Sequence, residues 1–222
     1  MNQRGDTIIE VILAVMVFSI IAVGGMTLMN QGIAIVQRSL EISQVRNQMD
    51  AQADALRYMH ALYVTDPSSA SASAAAWKTM TSTYSVASAQ PFDETSDTTG
   101  CRLPVSGKPF AINTVTPGSM DDGDPILPFD LASDDAGVPV SRHNPVMAGT
   151  VDALLSTTYA QVRSVEGQVV SQGIWVEAVR SASMSATTPG YYDFHIRGCW
   201  YSPGQDLPVT LGTIVRLYEP VS

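Results

Sequence analysis

Lysine is almost missing from this chain. Lys78 and Lys108 are the only two in 222 residues, and 12 basic side chains face 21 acidic ones. A formal net charge of −9 leaves no basic footprint, so no direct nucleic-acid partner is expected. Cysteine is equally scarce. Cys101 and Cys199 cannot supply the four ligands of a structural zinc site, and no C-x-x-C pair occurs. G-x-S-x-G, H-E-x-x-H and Walker-type loops are absent too. His60, His143 and His195 lie far apart in sequence. These absences point away from catalysis, and nothing repeats at a fixed period.

What the chain has in excess is apolar length. After Arg4, Asp6 and Glu10 the next ionisable side chain is Arg38, so residues 11–37 form one uncharged run of Val, Ile, Leu, Met, Ala and Gly. A bilayer core of about 30 Å needs roughly 20 apolar helical residues, and this run exceeds that. It also exceeds the roughly 7–15 residues of a cleaved signal core, and Gly24-Gly25-Met26-Thr27 is a poor cleavage site. Arg4 and the amino terminus precede the run, which predicts a single pass with the N-terminus in the cytoplasm and everything after about residue 36 outside. Glu10 sits among Ile8, Ile9, Val11 and Ile12, at the end of the helix that enters the membrane. A carboxylate there either stays at the interface or finds a cationic partner.

Gly5-Asp6-Thr7-Ile8-Ile9-Glu10, followed by the apolar helix, resembles the processing signal of type IV pilins and pseudopilins. In that family a short basic leader ends in Gly, a prepilin peptidase cuts after it, the new terminal amine is methylated, and the fifth mature residue is Glu. The resemblance implies a leader over residues 1–5, a new terminus at Asp6, where the family usually has Phe or Met, and a functional carboxylate at Glu10. It further implies other pilin subunits as partners through the N-terminal helix, an assembly platform in the cytoplasmic membrane, and an extracellular, adhesive filament (a fimbrium) as the final location. Glu10 would meet the terminal amine of a neighbouring subunit. Pilus subunits and pseudopilins of type II secretion or DNA-uptake machines share all these features, and the length of the chain favours a minor pilin. The alternative of a different class is a signal-anchored binding or enzymatic domain, which explains the apolar run but gives no reason for Gly5 and Glu10.

Beyond the membrane run, Ile42, Val45, Met49, Leu56, Met59 and Tyr63 recur at helical spacing with Ala53 between them, which predicts an amphipathic continuation. Arg38, Glu41, Gln44, Arg46, Gln48 and Asp50 take the other positions, and Asp66-Pro67 stops the helix. One helix over residues 6–64 is therefore expected. Residues 65–100, rich in Ser, Thr and Ala, read as a surface excursion that buries little and is pinned by Trp77 and Tyr84. Residues 101–222 read as a β-rich head. Within it, 116–149 reads as loop, while 174–179, 191–201 and 212–218 carry strand signals separated by Thr-Thr-Pro-Gly and Ser-Pro-Gly turns. Short connections predict an antiparallel meander, with Tyr192, Phe194, Ile196 and Trp200 on one face and Asp193, His195, Arg197 and Cys199 on the other. A long N-terminal helix on an antiparallel sheet gives an α+β fold, as the resemblance also implies.

Two cysteines in an exported domain predict one Cys101–Cys199 disulfide, against the alternative of two unpaired thiols. Pilin heads often carry a disulfide towards their C-terminal end. Asp121, Asp122 and Asp124 offer oxygen ligands that would suit calcium, but their spacing lacks the closing Glu of an EF-hand, so the reading is a solvated acidic loop and no cofactor.

Overall fold

The computed structural model describes residues 6–67, 71–88, 96–97, 100–101, 108–116, 125–129, 132–133, 139–140, 159–165, 168–181, 190–202, 205 and 207–219. The chain forms two compact units, Met1–Leu40 and Glu41–Ser222, and helix α1 (Asp6–Thr65) contributes to both. Among the described residues the second unit adds α2 (Ala72–Thr83) and twelve strands: β1 (Ser85–Val86), β2 (Ser96–Asp97), β3 (Gly100–Cys101), β4 (Phe110–Ile112), β5 (Ile126–Pro128), β6 (Ala132–Ser133), β7 (Pro139–Val140), β8 (Gln161–Val165), β9 (Gln168–Gln172), β10 (Ile174–Arg180), β11 (Tyr191–Trp200) and β12 (Val209–Tyr218).

The main sheet runs β12-β11-β10-β4-β5 in antiparallel order, and β1 adds to β10 in parallel. With the long N-terminal helix this is an α+β fold. The expected meander is present: β10 pairs with β11 from Ile174↔Gly198 to Arg180↔Tyr192, and β11 with β12 from Tyr191↔Tyr218 to Trp200↔Val209. One edge of β10 belongs wholly to β11. The other is divided between β4, met at Val176↔Phe110, and β1, met at Ala178 and Val179.

The alternation of β11 sorts its side chains as the sequence predicts. Tyr192, Phe194, Ile196 and Trp200 join the larger core, together with Ile174, Val176 and Ala178 of β10 and Val209 and Val215 of β12. Against this face lies the apolar stripe of α1. Val45, Met49, Ala53, Leu56 and Met59 are buried there, flanked by half-buried Ile42 and Tyr63. Full burial of a side chain such as Leu56 or Met59 contributes about 1.5–3 kcal/mol. Close approach of helix and sheet is set by Gly198, where a Cβ would come within 3.1 Å of Val45 Cγ1. Trp175, Cys199, Ala111 and Phe129 form a smaller cluster.

Two parts differ from the sequence-based expectation. Residues 72–83, expected to bury little, form α2, capped by the Ser71 hydroxyl accepting from the Ala74 N–H at 3.3 Å. Its alanines permit close packing, and Trp77 is fully buried against His60, Tyr63, Tyr192 and Phe194, with ring centroids 4.8–6.2 Å away. Within 116–149, expected as loop, residues 126–128 are strand β5 in the main sheet, and 132–133 and 139–140 pair as β6 and β7.

Candidate functional site

The first unit presents a surface that water does not suit. From Ile8 to Leu40 the large apolar side chains of α1 are exposed, from 47% for Val17 to 71% for Phe18 and Leu28. They lie all round the helix, so no single face is set aside for a core. At a rise of about 1.5 Å per residue, the uncharged run 11–37 is about 40 Å long, more than the hydrocarbon thickness of a bilayer. Among the described residues α1 is the one helix long and apolar enough to cross a membrane. Two of its hydroxyls bond back into the helix: the Ser19 hydroxyl donates to the Val15 carbonyl at 2.7 Å and the Thr27 hydroxyl to the Val23 carbonyl at 3.0 Å.

Glu10 is exposed at the start of this surface, and among the described residues it has no cationic partner. Asp6 opens the helix, with only its backbone described, and Gly5 lies outside the described residues. Gly24, Gly25 and Gly32 have open space within 4 Å of any Cβ added to them. Each weakens a helix by about 1 kcal/mol relative to Ala, and among the described residues no contact compensates.

In the second unit the continuation of α1 is held to the sheet by polar bonds that periodicity did not reveal. Glu41, assigned to the polar side by its spacing, is 4% exposed, and its Oε2 accepts from Trp200 Nε1 at 3.1 Å. Gln52 is fully buried. Its amide nitrogen donates to the Ile112 carbonyl and its oxygen accepts from the Ile112 N–H, both at 2.7 Å. Gln48 accepts from the Val162 N–H at 3.3 Å, and His60 Nε2 donates to the Tyr218 carbonyl at 2.8 Å.

Compared with protein-family models, curated proteins and solved structures, this chain matches none. The reading of the site therefore stands on its own residues.

Cys199 is 1% exposed and disulfide-bonded, and the only other cysteine in the sequence is Cys101, at the end of β3, described for its backbone alone. Immediately before it in space, the Cys199 N–H donates to the Gly173 carbonyl at 2.8 Å. Gly173 has φ +71°, and a Cβ there would strike the Cys199 carbonyl. Asp121, Asp122 and Asp124 lie outside the described residues, as does His143. Among the described residues no group of three or more His, Cys, Asp or Glu side chains is placed to hold a metal.

The face of the sheet that carries Cys199 also carries charge. Arg197 Nη2 lies 3.2 Å from Glu177 Oε2, with both side chains almost wholly buried. Asp193 receives a two-pronged bond from Arg216 at 2.7 Å on each oxygen, which holds its carboxyl below the ordinary value. His195 stands between Asp193 and Arg197 on the strand. Burial, then the Arg197 charge, push its pKa down, while Asp193 opposes them. Arg197 thus pairs with Glu177, and Arg216 with Asp193, within the head.

Proposed function

We propose that this chain is a membrane-inserted prepilin, cut after Gly5 by a prepilin peptidase and assembled through its N-terminal helix into a type IV pilus-like filament, with its head outside the cell. Its work in this reading is mechanical and adhesive, not catalytic. The observation that carries it is the pairing of an apolar surface exposed on every side with a single carboxylate, Glu10, near its start. A simple anchor needs the apolar surface alone.

The physical argument runs through burial. In lipid, the surface of residues 8–40 is covered by acyl chains; in a filament it is covered by the same surface of other copies, held by close apolar contact. Gly24, Gly25 and Gly32 support this, since they weaken the helix without serving any contact inside the chain. Glu10 leaves interfacial water on assembly and needs a positive partner, because an unpaired buried charge is strongly disfavoured. The amine released at Asp6 by cleavage is such a partner, and pairing it with Glu10 of a neighbour fixes axial register.

The test is the mass and first residue of the protein recovered from envelopes and from sheared surface filaments. A chain beginning at Asp6 in both fractions is expected. Gly5→Val should leave a chain that begins at Met1, in the membrane only. Native protein that keeps its first five residues in cells with active peptidase refutes the reading.

A further inference from the structure

Strand β12 is the edge of the main sheet, and among the described residues its outer side meets no other strand. Its 10 residues pair with β11 without a bulge, from Tyr191↔Tyr218 to Trp200↔Val209. The Glu219 N–H donates to the Gly190 carbonyl at 3.0 Å, which sets the alternation of the ladder. The N–H and C=O of Thr210, Gly212, Ile214, Arg216 and Tyr218 therefore point away from β11. The Tyr218 carbonyl shows the direction, because His60 of α1 donates to it at 2.8 Å. At the other four positions no described group takes the outward pair, and Gly212, Thr213 and Ile214 are exposed. Folded proteins ordinarily blunt such an edge with proline, lysine, a bulge or brevity. β12 has none of these, and its single charged side chain, Arg216, is bound to Asp193. The opposite edge shows the contrast: β5 has 3 residues, is preceded by Pro125 and ends in Pro128.

Beside the open edge, on the helix side of the sheet, lies a cleft of about 280 Å³. It is lined by Leu211, Gly212 and Thr213 of β12 and by Arg46, Met49 and Asp50 of α1. Arg46 and Asp50 are exposed and make no ion pair among the described residues. Here α1 runs in the same direction as β12, since Glu41 bonds Trp200, the partner of Val209, and His60 bonds Tyr218. Arg46 thus lies towards the start of β12 and Asp50 towards its end, about 6 Å apart along the helix. Two residues of extended chain cover about the same distance, 6–7 Å. A strand added antiparallel to β12 passes Asp50 first. It matches the cleft with a basic residue and, two positions later, an acidic one. Its other face lies beside Ile214 and Tyr218, each 59% exposed, and is matched by β-branched apolar residues.

We infer that β12 is a docking edge for an extended segment of another protein, which adds as an antiparallel strand and sets a Lys/Arg-x-Asp/Glu pair against Asp50 and Arg46. Backbone bonds supply the affinity, and the charged pair supplies direction and register. A second copy of this chain does not fit. Antiparallel pairing of β12 with β12 turns the two α1 helices in opposite directions, which chains anchored in one bilayer by the same helix cannot adopt. The β5 edge is closed by its prolines. The inference goes beyond the filament reading, and only the exclusion of a second copy uses its membrane orientation.

The test uses the full-length protein in detergent and a fluorescent synthetic peptide. The peptide carries Val at every second position and Thr, Lys, Glu and Thr between them, in that order. Saturable binding by fluorescence anisotropy is expected, and its absence overturns the inference. The Val amides face β12 in this pairing, so N-methylating them should weaken binding by about tenfold or more, while N-methylating the alternate amides should change it by less than about twofold. An equal effect of the two sets overturns the inference. Ile214→Pro removes one outward N–H without touching a bond to β11, and should abolish binding with Tm close to the parent's. Undiminished binding to that variant overturns the inference too. Arg46→Glu with Asp50→Lys leaves β12 as it is, and should favour the peptide with Glu before Lys by about fivefold. An unchanged preference refutes the charged pair. Protein dimers whose formation competes with the peptide place a second copy on the edge and overturn the choice of partner.

Discussion

Gln52 offers a sharp test of how the second unit holds its helix. β4 meets β10 at a single registered pair, Val176↔Phe110, and two residues further along the Gln52 amide takes the place of a strand by bonding both backbone groups of Ile112 at 2.7 Å. Gln52→Leu keeps the bulk and removes both bonds, leaving a buried N–H and a buried C=O without partners. Each costs about 1–3 kcal/mol, so the loss should be about 2–5 kcal/mol after a small apolar gain. Gln52→Glu is more informative. Protonated, a carboxylic acid reproduces the donor and acceptor of the amide; ionised, it turns two lone pairs and a charge towards the Ile112 carbonyl. Burial and that carbonyl both raise the folded-state pKa above the unfolded value of about 4.3. The stability specific to the proton-bound form is therefore complete below that unfolded value and lost as pH rises through the folded one. Denaturant unfolding of the full-length protein in detergent, followed by the fluorescence of buried Trp77, Trp175 and Trp200, gives the measurement. The gap between Gln52→Glu and the parent should narrow in acid and widen at neutral pH. A loss below about 1 kcal/mol for Gln52→Leu, or a pH-independent gap for Gln52→Glu, would refute the reasoning.

Other outcomes follow from the proposed function and from the structure. Glu10→Gln keeps shape and removes charge, so membrane levels and cleavage should stay normal while incorporation into sheared filaments falls steeply; parent-like incorporation would leave the amine pairing without support. Non-reduced peptide mapping should recover Cys101 linked to Cys199, and Cys101→Ser should cost the head about 2–5 kcal/mol, read as a lower Tm. His195 has a folded pKa below its unfolded value of about 6.5, so its contribution is present above that pH and lost as pH falls through the folded value. His195→Gln should accordingly flatten the loss of Tm on the acid side, and an unchanged acid limb would show that His195 does not contribute to it.

The parts of this fold that were legible in the sequence are those that repeat. Five buried positions of α1 from Val45 to Met59, and the sorting of Tyr192, Phe194, Ile196 and Trp200 to one face of β11, follow from periods of 3.6 and 2 carried over many residues. β4 and β5 are three residues each, too short for any alternation to register. α2 was obscured for a different reason: Ala and Ser are read as low complexity, yet small side chains are what let the helix settle close enough for Trp77 to be fully buried. Glu41 and Gln52 escape a reading by periodicity, which sorts side chains by polarity. Their burial depends on partners, Trp200 and Ile112, that are 159 and 60 residues away in sequence. One partial signal is the run of valines, Val162, Val165, Val169 and Val170, in what the structure shows as the antiparallel pair β8 and β9.

The same helix thus answers two physical problems in succession, and the change comes at Leu40 and Glu41. Up to Leu40, which is 58% exposed, α1 offers apolar surface in every direction. From Glu41 on, the helix buries one stripe and fastens it with directed bonds, from Glu41 to Trp200 at one end to His60 and the Tyr218 carbonyl at the other. Apolar contact is non-directional and tolerates exchange of one greasy neighbour for another, whereas buried polar bonds fix one geometry and are costly to break. In the filament reading proposed above, a subunit that moves from lipid to a filament has to change everything its first unit touches while its second unit stays as it is. Interchangeable contacts before residue 40 and specific ones after it are the division that such a move requires.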